Sequence, residues 1–73
     1  MTPLQSRLVA ILRKRVNIRG HIASVPYAEL AAELALGVTA DAVRAALVEL
    51  RDDGFFPGKP QLDETQFSGT LPG

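Results

Sequence analysis

Seventy-three residues set the scale of one domain, burying only ~60% of its unfolded surface, and 47% hydrophobic content is too apolar for a disordered chain. The absence of cysteine excludes a disulfide framework or thiolate zinc site, and no apolar run approaches the ~20 residues of a membrane span. Eight cations balance eight carboxylates, so net charge alone steers the chain toward neither polyanion nor polycation.

Residues 3–17 read as a first helix, with Leu4, Leu8, Ile11, Leu12 and Val16 on one broad face. Its basic cluster, Arg13 to Arg15, follows the short apolar run LVAIL instead of preceding it, which is the wrong order for a signal peptide, so a cytoplasmic location is expected. Gly20 closes this region, and residues 22–25 form a β-prone piece leading into Pro26. Tyr27, Leu30, Ala31 and Leu34 recur at helical spacing and predict a second helix over 26–36. Pro26 suits its start, Val25 and Leu30 are placed as a hydrophobic staple, and Glu29 meets the dipole in the first turn.

Thr39 is a good N-cap for a third helix over 39–53, with Asp41 in its first turn and Val38 and Val43 as a staple. Val43, Ala46, Leu47 and Leu50 form its inward stripe, and Gly54 supplies a left-handed stop. Phe55 and Phe56 suit a strand over 54–58. Pro57, Gly58, Lys59 and Pro60 then make a turn, and 65–71 returns as a second strand of the hairpin. Residues 1–73 thus predict a single mainly α, α+β domain: three helices with a small antiparallel sheet from 22–25, 54–58 and 65–71. Pro72 and Gly73 should fray.

The run Glu29, Leu30, Ala31, Leu34, Gly37, Val38, Thr39, Val43, Leu47, Leu50, Gly54 resembles the winged helix-turn-helix domains of bacterial transcriptional regulators, such as the SOS-repressor N-terminal domain and the GntR-like regulators. Ala35 and Leu36 depart from that pattern as two extra residues, lengthening the second helix or the turn after it. The resemblance implies a winged fold and a small bacterial or phage protein that binds double-stranded DNA for transcription regulation. Its third helix would enter the major groove through Thr39, Ala40, Asp41, Arg44, Ala45 and Val48, with Lys59 touching the backbone from the wing. A module this small buries limited surface, so pairing as a homodimer on two half-sites is expected.

Charge complicates that picture. Arg7, Arg13, Lys14, Arg15 and Arg19 all precede the first acid, Glu29, whereas the third helix holds two arginines against four carboxylates. Phosphate neutralisation by Lys and Arg supplies most sequence-independent affinity for DNA, and an acidic recognition helix works against it. Arg44 is its one base-reading side chain, with geometry suited to guanine. An alternative basic face comprises Arg13, Lys14, Arg15 and Arg19. Arg15 falls within the apolar arc of its helix, where snorkelling toward a carboxylate such as Glu33 or Asp53 is the plain expectation.

No enzyme, cofactor or metal site is indicated. His21 has no acid near it in sequence, and Ser24 has no base held by a third group. The pairs Asp52–Asp53 and Asp63–Glu64 are sequence neighbours, whose side chains diverge. Two functions remain open: a DNA-binding regulator, which the resemblance implies, and a winged-helix module for a protein partner, which the acidic third helix favours.

Overall fold

The computed structural model describes residues 1–72; Gly73, expected to fray, lies outside the described residues. Three helices, α1 (Pro3–Arg13), α2 (Tyr27–Leu34) and α3 (Ala40–Asp52), and three strands, β1 (His21–Pro26), β2 (Gln61–Leu62) and β3 (Gln66–Thr70), follow in the order α1-β1-α2-α3-β2-β3. The expected fold class therefore holds: three helices with a small antiparallel sheet, its last two strands a hairpin following α3. β3 is central, pairing antiparallel with β1 on one side and β2 on the other.

One core unites these elements. Leu8 and Leu12 from α1, Leu30 from α2, Val43 and Leu47 from α3 and Phe67 from β3 are all fully buried within it. Ile22 and Val25 both face this core although three residues apart, a spacing that regular strand alternation forbids. The register supplies the answer: Ile22 pairs with Gly69 and Val25 with Phe67, so β1 carries one extra residue as a bulge.

α1 opens on a capping box. The Thr2 hydroxyl accepts from the Gln5 amide at 3.1 Å while the Gln5 side-chain oxygen accepts from the Thr2 amide at 2.9 Å. Gln5 is the one buried polar side chain among the described residues, and its amide nitrogen donates to Glu49 on α3 at 2.9 Å. α1 ends at Arg13, four residues short of expectation. The Lys14 and Arg15 amides turn back to the Ile11 and Leu12 carbonyls, and the Asn17 side chain captures the amides of Arg19 at 2.8 Å and His21 at 3.0 Å. That side chain gives the backbone an alternative to further helix.

α2 is shorter than 26–36. Pro26 ends β1 and occupies the N-cap position without a side-chain cap, and Ala35 is already extended at the other end. The two extra residues, Ala35 and Leu36, thus lengthen the turn and not the helix. α3 matches its expected span to within one residue at each end. Thr39 caps it through the Ala42 amide at 3.1 Å. Its C-terminus closes as a Schellman motif: Gly54 at φ 77° donates to Arg51, and Phe55 donates to Leu50.

The strand expected over 54–58 is absent. Phe55 and Phe56 instead finish the helix stop, and Phe56 turns into the core with its ring centroid 5.3 Å from that of Phe67. Pro57 and Pro60 lack the amide hydrogens that a ladder requires, so pairing starts only at Gln61. The hairpin tip is therefore Asp63–Thr65 rather than Pro57–Pro60, closed by the Asp63 amide on the Gln66 carbonyl at 2.9 Å.

Candidate nucleic-acid interface

The residues expected to meet DNA fall on α3 and the segments flanking it. Asp41, Arg44 and Ala45 are exposed on α3, Val48 is half-buried beside them, and Thr39 is exposed at the cap. Ala40, in the first turn of α3, is half-buried like Val48 and packs partly against the core. Arg44 has no carboxylate within ion-pair distance among the described residues. Around it Asp41 and Asp52 keep the face acidic.

Tyr27 fixes where the hairpin stands relative to this face. Its backbone amide donates to the Thr65 carbonyl at 3.1 Å and its hydroxyl donates to the Asp63 carbonyl at 2.7 Å, so one buried residue holds the hairpin tip from two directions. Burial raises the Tyr27 pKa above the ordinary 10.0, with the Arg44 guanidinium pulling it back and Asp63 reinforcing the rise. Arg44, Tyr27 and the hairpin tip thus share one end of the molecule. No local pattern announces this link, because Tyr27 and Asp63 are 36 residues apart.

The tip itself carries Asp63 and Glu64, with Glu64 exposed and the Asp63 carboxylate accepting from Gln61 at 3.1 Å. Lys59 is exposed, but it lies in the connector between α3 and β2, outside the hairpin. The expected place of Lys59 on the wing is corrected accordingly: the hairpin tip presents carboxylates, and the lysine precedes it.

Of the alternative basic face, Arg15 is engaged within the chain. It follows α1 instead of riding on it, its Nε donates to Glu33 at 3.1 Å, and its Nη1 lies 3.3 Å from Glu29. The Glu33 hydrogen bond, aided by Glu29, raises its pKa above the ordinary guanidinium value against some desolvation. Arg13, Lys14 and Arg19 stay exposed with no carboxylate partner among the described residues. Arg13 reaches the Pro72 carbonyl at 3.4 Å, and the Leu71 amide donates to Gly20 at 2.9 Å, so these segments share one corner. At its turn Ile18 stands wholly exposed, at 101% of its reference area.

The exposed Leu36 edges a shallow groove of about 680 Å3, lined by Ala28, Ala32, Leu34, Val38 and Ala40. Its one ionisable lining residue, Glu33, is taken up by Arg15. His21 is exposed, its Nδ1 3.3 Å from the Thr70 hydroxyl. No group of three His, Asp or Glu side chains gathers among the described residues, and no described helix is long and apolar enough to cross a membrane. No known protein family, curated protein or solved structure matches this chain.

Proposed function

We infer that this chain is a double-stranded DNA-binding domain of the winged helix-turn-helix type, acting in transcription regulation from the cytoplasm as a homodimer. α3 enters the major groove, and Arg44 reads guanine. The observation that carries this reading is the exposed Arg44 guanidinium, without a carboxylate partner among the described residues, on a capped helix beside the small Ala45 and at the same end as a pinned hairpin. An exposed fork-shaped donor that no acid neutralises, flanked by a side chain too small to block approach, is what base-edge recognition needs.

A second reading, a module that docks on a protein, draws support from Asp63 and Glu64 at the hairpin tip, which repel a phosphate backbone. Titration of a labelled duplex pool at two salt concentrations separates the two. Binding whose sequence preference relaxes in Arg44→Ala, at a cost of ~1–3 kcal/mol, supports the first. Absence of duplex binding even at low salt overturns it in favour of the protein partner.

A further inference from the structure

The corner formed by Arg13, Lys14, the 17–20 turn and the end of β3 lies far from Arg44. Strand register gives the separation: His21 pairs with Thr70 at this end of β3, and Pro26 pairs with Gln66 at the hairpin-tip end. Those five residues of β3 span roughly 14–17 Å. The corner therefore belongs to a different surface from the α3 face.

Three features mark it as more than a solvated edge. First, Arg13, Lys14 and Arg19 remain without carboxylate partners, while Arg15 beside them is doubly paired. The α1 C-terminus accounts for a cation or two through its dipole, but Arg19 lies beyond the helix. Second, the turn is built rigidly: Asn17 accepts from two backbone amides, its own amide donates to His21 at 2.9 Å, and Gly20 at φ 75° donates back to Asn17. Third, this turn holds Ile18 fully in water next to Arg19, an arrangement matching the apolar side chains that proteins press into a nucleic-acid groove among phosphate contacts.

We propose that Arg13, Lys14 and Arg19, which share this corner with the exposed Ile18, form a second, sequence-independent site for the sugar–phosphate backbone of duplex nucleic acid. The proposal rests on the DNA-binding reading and divides its labour. Arg44 at one end supplies discrimination, and the corner at the other supplies the charge-driven affinity that the acidic α3 and hairpin tip withhold.

The test uses the full chain carrying Lys14→Ala and Arg19→Ala together, with Lys14→Arg and Arg19→Lys as the charge-preserving control. Both positions are exposed, and circular dichroism melting verifies that each variant is folded. Affinity for a duplex of random sequence is measured from low to moderate salt. The alanine variant should lower the slope of log affinity against log salt by about 1.8, two phosphate contacts at about 0.9 each, and the control should keep it. An unchanged slope and affinity, with Arg44→Ala still relaxing preference, overturns the corner site and leaves the α3 reading standing. Loss of slope with Arg44→Ala silent keeps the corner site and overturns the α3 reading. No duplex binding by the unaltered chain overturns both, and polyglutamate binding the corner as tightly as duplex assigns it instead to a protein.

Discussion

Leu47 has no exposed surface and sits where α3 meets the rest of the core, so the cost of truncating it measures how well that core is packed. Leu47→Ala should lower stability by ~2–4 kcal/mol in urea denaturation; an unaltered midpoint would contradict its central place. Tyr27 joins core to hairpin, and Tyr27→Phe, which removes the bond to the Asp63 carbonyl, should cost ~1 kcal/mol. Its titration adds a pH signature. Because burial raises its folded value above the ordinary 10.0, folding favours the protonated phenol. That contribution is complete below about pH 10 and is lost as pH rises through the higher folded value. Alkaline melting of the wild type should therefore steepen there more than in Tyr27→Phe. Side chains such as Leu47 are legible from periodicity alone, whereas for Arg15 the pattern leaves Glu33 and Asp53 both open, and only the turn after α1 brings it to Glu33 and Glu29. Gln5 is not legible: its partner Glu49 is 44 residues distant, and nothing in a local pattern joins a polar residue of one helix to an acid of another.

Among the elements, α3 is the best specified because both its ends carry independent signals. Thr39→Ala removes the cap bond to the Ala42 amide and should cost ~0.5–2 kcal/mol by thermal melting. The hairpin is where local reasoning and structure part. Pro57–Pro60 is the densest turn signal in the chain and draws the expected tip onto Lys59. Prolines can shape a turn, yet they cannot donate to the ladder on either side of it, so the strands pair beyond them. The consequence for function is a tip of opposite charge. If the hairpin approaches a duplex, Glu64→Lys should steepen its salt slope by about 0.9 and tighten binding; indifference to this change in the same titration would place the hairpin away from the backbone. The bulge in β1 escapes sequence reading for a related reason. Ile22 and Val25 break strand alternation, and only the register against β3 shows how both come to be buried in one strand.

At the scale of the whole molecule, one shared core and a radius of gyration of 11.0 Å leave little room for independent subunits of structure. Far-ultraviolet circular dichroism and tyrosine fluorescence should accordingly report one coincident unfolding transition. The sign-by-sign split of charge along the chain is legible in the sequence, but its direction in space is not, because that depends on β3 lying between β1 and β2. The strand carries free cations near its last residue and the carboxylates of Asp63 and Glu64 beyond its first. A neutral protein arranged this way is an electric dipole. In the field of a polyanion it experiences a torque before any attraction of net charge, and it rotates its Arg19 end forward during approach. Encounter should then be faster than for a neutral body of equal size, while added salt slows association by damping the alignment.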